Sequence, residues 1–192
     1  MSGTQDVNPS PLPPVRRVVT GHNPSGQSTF ISDKVEPFQR LVPGGDAIAY
    51  HLYRTNAIPA KVDSEVAAGG AGLFLDEIQG NGSELYTKTG SVFRSVDVAP
   101  GSLSPFHRTE SLDYAIVAKG SVVLILENGE EVTLNEGDVV CQRATMHAWR
   151  NDTAKYCRIY FVMLGAKPVL INGKVLAEEW APQPAKRLEA NL

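Results

Sequence analysis

Gly101–Asn151, GSLSPFHRTESLDYAIVAKGSVVLILENGEEVTLNEGDVVCQRATMHAWRN, decides the fold. Two of the chain's four histidines, His107 and His147, lie in it. Each sits near the end of a short strand-like run, and a hairpin separates them. Val122 to Leu126 is apolar and rich in β-branched side chains, Asn128-Gly129 is the turn, and Val132-Thr133-Leu134 leads back. Asn-Gly tolerates φ > 0 at both central positions, which predicts a two-residue type I′ turn.

The spacing of the polar and glycine positions then becomes informative. Gly101 is followed by His107, Thr109, Asp113 and Gly120; further on, Gly137 is followed by His147 and Asn151. This pattern resembles the two motifs of the cupin family. The first is Gly, five residues, His-x-His, three or four residues, Glu, six residues, Gly. Here Thr109 stands for the second His and Asp113 for Glu. In the second motif Gln142-Arg143-Ala144 replaces a Pro-x-Gly turn, and the Gly-to-His interval is one residue short. The resemblance spans residues 101–151. It implies an antiparallel β-barrel of the jelly-roll type, here with extra strands before the motifs and a short C-terminal tail. The wording around the motifs is similar to small single-domain cupins, many of them in microbial, especially fungal, pathways to aromatic or polyketide products.

Composition sets the outer limits. The chain has 192 residues, 42% hydrophobic and 20% charged, with a net charge of −3 and pI ≈ 5.8. These are ordinary values for a globular domain, and the mild acidity gives no electrostatic footprint for nucleic acid or an anionic membrane. No run approaches the 18 apolar residues of a membrane span, and the N-terminal MSGTQDVNPSPLPP lacks the apolar segment of a secretory signal. Cytoplasmic residence is the expectation. Cys141 and Cys157 are too few for a disulfide framework, and their apolar surroundings predict buried free thiols.

Taken in order, residues 1–14 are polar and Pro-rich and read as a disordered arm before one domain over 15–192. Arg16–Thr20 and Ser28–Ser32 form a hairpin with His22 at its turn. Ala47–Arg54 is a strand in which Ile48, Tyr50 and Leu52 oppose Ala49, His51 and Tyr53. Phe74–Gly80 is ambiguous between strand and helix. Ser91–Ala99 alternates, with Val92, Val96 and Val98 against Phe93 and Ser95. Leu112–Ala118, Val139–Arg143 and Tyr156–Leu164 are strands, Asn172-Gly173 turns a last hairpin, and Trp180 pins the tail to the body. Many short strands with turns every 8 to 12 residues favour a sandwich or barrel.

For chemistry, the cupin resemblance implies a barrel interior that collects His107, Asp113 and His147 as the catalytic group, with Thr109, Tyr114, Arg143, Trp149 and His51 as candidate substrate contacts. His107 and Thr109 are two apart and share a face; Asp113 is an even step further unless a bend intervenes. Two imidazoles and one carboxylate match the ligand set of a single divalent metal, Fe, Zn, Ni or Mn. They equally make a metal-free acid–base site, in which His147 or His107 is the base and Asp113 orients it or donates a proton. Tyr114 and Arg143 would stabilise an enolate or phenolate, Trp149 would wall an aromatic pocket, and Asn151 would fix a turn.

Three functions stay open on this reading. The first, whose substrate class comes from the resemblance, is a lyase or isomerase of secondary metabolism acting on an aromatic or polyketide-like molecule by dehydration, decarboxylation or enol shift. The second is a non-haem Fe(II) oxygenase using His107, Asp113 and His147. The third is a non-catalytic cupin that binds a ligand. The resemblance also implies a homodimer, with the Arg16–Ser32 hairpin at or near its interface.

Overall fold

A computed structural model describes residues 7–41, 44–62, 76–78 and 84–181. Among the described residues all regular structure is β. The strands are β1 (Arg16–His22), β2 (Ser28–Val35), β3 (Gln39–Arg40), β4 (Ile48–Thr55), β5 (Ser91–Val98), β6 (His107–Arg108), β7 (Ser111–Lys119), β8 (Ser121–Leu126), β9 (Glu131–Asn135), β10 (Val139–Arg143), β11 (His147–Arg150), β12 (Cys157–Gly165), β13 (Val169–Ile171), β14 (Lys174–Leu176) and β15 (Glu179–Trp180). They make a six-stranded sheet in the order β10-β7-β12-β5-β4-β3, a five-stranded sheet in the order β15-β6-β11-β8-β9, and the separate hairpins β1-β2 and β13-β14. All pairings are antiparallel. This is the jelly-roll arrangement, with extra N-terminal strands and a C-terminal tail. Of Phe74–Gly80 only residues 76–78 are described, and they lie in neither strand nor helix.

The period of two explains which side chains meet. On β7, Ser111, Asp113, Ala115 and Val117 point inward, while Tyr114 and Ile116 are exposed. The inward residues of β7, β12 and β5 pack against Val122, Leu124, Leu134 and Trp149 of the other sheet, which makes the main core. Burying this apolar surface between the sheets is what joins them, at roughly 25 cal/mol per Å². On the opposite face of the large sheet, Val15 packs with Ile48, Tyr50 and Leu52.

Four expectations change. The β8–β9 turn is not type I′. Gly129 N–H donates to Leu126 O and Leu126 N–H to Glu130 O, and only Gly129 is left-handed, at φ 85°. This is a three-residue loop, a type I turn closed by a bulge glycine, and Asn128 Oδ1 accepts from Glu130 N–H instead of entering the left-handed region. The two-residue turn with both φ positive occurs at Asn172-Gly173. The arm is not free over residues 8–13: Asn8 Nδ2 donates to Tyr50 Oη, Ser10 Oγ to Asp97 Oδ2 at 2.6 Å, and Arg158 Nη1 to Pro13 O. Asp97 and Arg158, a bidentate pair at 2.6 and 2.7 Å with Asp97 fully buried, supply the anchor. His22 ends β1, and the turn that follows runs through Asn23 and Gly26. Cys157 is buried, which pushes its thiol up to about 12, whereas Cys141 faces out from edge strand β10.

Two polar residues fix the strand ends around the site. Asn151, fully buried, donates to Val98 O and Lys155 O and accepts from Thr153 N–H and Oγ–H, so it does fix a turn. Ala144 stands where the cupin turn has Gly and takes φ 50°, its N–H bonded to Ser111 O. Just before it, the alternation of β10 puts Gln142 on the inside and Arg143 on the outside.

Candidate functional site

A cavity of about 280 Å³ lies between the two sheets. One wall is the small sheet. His107 on β6 and His147 on β11 are direct cross-strand partners, with ring centroids 4.2 Å apart. Trp180 on β15 pairs with His107 and stacks on its ring at 4.8 Å and 10°. Trp149 stands edge-on to His147 and to Phe161. The other wall is the large sheet, which contributes Arg94, Val96 and Val98 of β5, Asp113 of β7, and Ile159, Phe161 and Met163 of β12. The lining is mostly apolar and aromatic, with few polar groups, as small-molecule sites are.

The imidazoles are fixed in one tautomer. His107 Nδ1 lies 3.0 Å from Pro105 O and His147 Nδ1 lies 2.9 Å from Thr145 O. A carbonyl only accepts, so both Nδ1 atoms carry the proton and both Nε2 atoms keep a lone pair. Burial lowers both rings below the usual imidazole range, and the neighbouring His107 helps to push His147 down to about 3. Both rings are therefore neutral at pH 7 and present hydrogen-bond acceptors.

Asp113 has the opposite tendency. Burial raises its carboxyl to about 6, against hydrogen bonds from Ser111 and Gln142 and the charge of Arg94, which favour the anion. Ser111 Oγ–H donates to Oδ1 at 2.6 Å and Gln142 Nε2 to Oδ2 at 3.1 Å. A carboxyl near 6 matches proton transfer at neutral pH better than an imidazole near 3.

The expected metal set does not assemble. Among the described residues no three His, Cys, Asp or Glu side chains group as ligands for one ion. His107 and His147 adjoin on the small sheet, while Asp113 stands on the large one, held by Ser111 and Gln142. Among the described residues the donor set at this wall is therefore two imidazoles, one short of a facial triad.

The substrate contacts divide. Trp149 lines the cavity as expected. Thr109 is buried but bonded to Ser111 and outside the lining. Tyr114 faces outward, because it follows the inward Asp113. Arg143 is exposed for the same reason beside Gln142. His51 lies across from Arg94 and bonds Gln39 without lining the cavity; burial and the charges of Arg94 and Arg54 lower it to about 4.

The sequence reading missed Arg94. It shares the parity of Val92, Val96 and Val98, so the alternation of β5 already placed it inside. Trp180 was read as an anchor of the tail; it is that, and a wall of the site as well.

Residues 94–163 match the Cupin domain family model. The cupin-domain-containing oxidoreductase virC of Hypocrea virens is 37% identical over 172 residues, which cover 86% of this chain and 85% of that protein. Phomopsin biosynthesis cluster protein D of Diaporthe leptostromiformis is 36% identical over 177 residues, 92% of each chain. Among solved structures, the polyketide cyclase RemF from Streptomyces resistomycificus superposes with a TM-score of 0.45 at 15% identity, covering 76% of this chain and 79% of that one. On its 37% identity to the cupin-domain-containing virC over 86% of this chain, together with the domain match, the chain belongs to the cupin-domain family.

Proposed function

We propose that the protein is a small-molecule enzyme of secondary metabolism, a lyase or isomerase that moves a proton on an aromatic or polyketide-like substrate without a resident metal. The observation that carries this is Asp113, a carboxyl held near 6 in the same apolar cavity as two imidazoles that can only accept. The names of relatives from biosynthesis clusters support the metabolic setting.

In this reading Trp149, Phe161 and Trp180 hold the flat apolar skeleton. The Nε2 lone pairs of His107 and His147 accept from substrate hydroxyls and set its orientation. Ionised Asp113 takes a proton from a carbon next to a carbonyl. The carboxylic acid so formed returns that proton, to a departing hydroxyl that leaves as water or to another atom of the conjugated system. Decarboxylation would start from Asp113 already protonated from solvent, which delivers its proton to the carbanion left as CO2 departs. The enzyme would work in the cytoplasm as a homodimer.

A metal-dependent oxygenase is the second reading, favoured by the word oxidoreductase in the names of virC and fogC. Its third ligand would have to be a group other than Asp113. The test is to incubate purified protein with intermediates of the pathway encoded by the neighbouring genes and read the product mass. A new product of unchanged mass, or loss of water or CO2, supports the proposal. Gain of oxygen overturns it in favour of the oxygenase. Tight binding without turnover overturns it in favour of the ligand-binding cupin.

A further inference from the structure

Arg94 is a cation in an unusual place. It sits in the middle of β5, is 3% exposed, and lines the cavity beside its cross-strand neighbour Phe161. Nη2 donates to Glu84 O at 2.7 Å, which fixes one side of the guanidinium. Nε is buried with no hydrogen-bond partner. Among the described residues no carboxylate forms an ion pair with it. Asp113, the nearest candidate, stands one strand beyond β12 in the next inward row and gives its oxygens to Ser111 and Gln142. The contrast with Arg158 is instructive: that equally interior guanidinium is matched two to two by Asp97.

A buried charge without a partner is costly, and burial accordingly lowers the Arg94 guanidinium to about 10. It remains protonated at neutral pH, held up by the charge of Asp113, the other charged group lining the cavity, and its Nε–H stays without a hydrogen-bond partner. A planar guanidinium with free donors is matched by a carboxylate. The cavity, at about 280 Å³, has room for a small ring system.

We propose that Arg94 is the anion anchor of this cavity, and that the substrate is a small apolar acid whose carboxylate pairs with Arg94 while its rings lie against Phe161, Trp149 and Trp180. This rests on the reading of the cavity as a substrate site. Arg94 then sets specificity: acids match its charge, whereas their neutral amides, esters and aldehydes accept a hydrogen bond from it without balancing that charge.

The probes are 2-naphthoate and its neutral isostere 2-naphthamide, titrated calorimetrically into the full chain at neutral pH, with tryptophan fluorescence in parallel. The acid should bind about ten- to a hundredfold more tightly than the amide, the worth of a charge-assisted hydrogen bond in a buried site. Arg94→Gln should bring the two within about threefold of each other, with thermal unfolding still cooperative. Equal binding of acid and amide by the native chain, no binding of either at millimolar concentration, or a preference that survives Arg94→Gln would overturn the proposal. If Arg94→Gln does not fold, the ¹⁵Nε–H resonance of Arg94 in the native chain decides. A shift on adding naphthoate but not naphthamide supports the anchor, and no shift overturns it. Binding is read without turnover. Loss of the acid–base reading, with Asp113→Asn fully active, would leave the anchor standing. Loss of the anchor would leave proton transfer by Asp113 intact.

Discussion

His107 and His147 face each other directly across β6 and β11, and each gives its Nδ1 proton to the carbonyl two residues earlier in its own chain segment. The two rings thus have the same tautomer and the same free atom, Nε2. In the proposed mechanism this pair orients substrate hydroxyls. In the metal-free reading, His107→Ala and His147→Ala should each lower kcat/KM by roughly 10–100-fold, the scale of lost orientation. Metal analysis of the purified chain should find no stoichiometric ion, and chelator should leave turnover unchanged. A bound ion that disappears in both alanine variants together with activity would move the chemistry onto a metal.

Asp113→Asn is the sharper substitution. It keeps the size of the side chain and the hydrogen bond from Ser111, and it removes the proton-transfer group. Turnover should fall by roughly 10²–10⁴. In the native protein the activity should rise with pH as Asp113 ionises around 6, and this limb of the profile should be missing from the residual activity of the variant. A variant that keeps the limb would show that another group is the base.

How far these residues were legible in the sequence depends on what strand parity can carry. The histidines came together because the two motifs fix both the strands and the interval between them. Asp113 is an even step from His107, and it does point inward. However, the chain leaves the small sheet after Arg108 and enters the large one at Ser111, so the same parity places it on the opposite wall. Arg143 and Tyr114 were chosen for their chemistry at positions whose neighbours, Gln142 and Asp113, hold the inward parity. Arg94 had the parity of three valines, and its charge alone argued against the interior. Trp180 reaches the site through β15, a two-residue strand on a distant segment that no local pattern announces.

Trp180 is half-exposed at 53% and touches the site through the His107 ring. Removing it should therefore cost the fold little and the substrate much. Trp180→Ala is expected to raise KM by about tenfold with a smaller change in kcat, since a wall contributes to ground and transition states alike. A fall in kcat with KM unchanged would assign the ring a role in the reaction itself.

The β1-β2 hairpin shows Val18, Phe30 and Val35 outward, at 45%, 74% and 59% exposure. Exposed apolar side chains on a separate two-stranded hairpin are the surface expected of an interface between copies. The chain should run as a dimer in light scattering at micromolar concentration, and Phe30→Asp should convert it to a monomer with the cavity residues undisturbed. A native monomer, or a Phe30→Asp variant that remains dimeric, would place the contact elsewhere or remove it.

Acid stability tests the buried imidazoles apart from any substrate. His147 is held near 3 and His51 near 4 in the folded chain, and His107 is also lowered, whereas the unfolded chain protonates each near 6.5. As pH falls below 6.5 the unfolded state takes up protons that the folded state refuses, so stability is complete above this range and drops through it. Asp113 acts in the other direction. Raised from 3.8 to about 6, it favours the fold at low pH and withdraws that contribution as pH rises between the two values. Comparing the native chain with His147→Gln cancels the Asp113 contribution, because both carry it. Between pH 7.5 and pH 5 the native chain should lose roughly 2 kcal/mol more unfolding free energy in urea than the variant does. Equal losses would mean that His147 takes up its proton in the folded chain as easily as in the unfolded one. The neutral acceptor pair, and the hydroxyl-orienting role built on it, would then fail below pH 6.5.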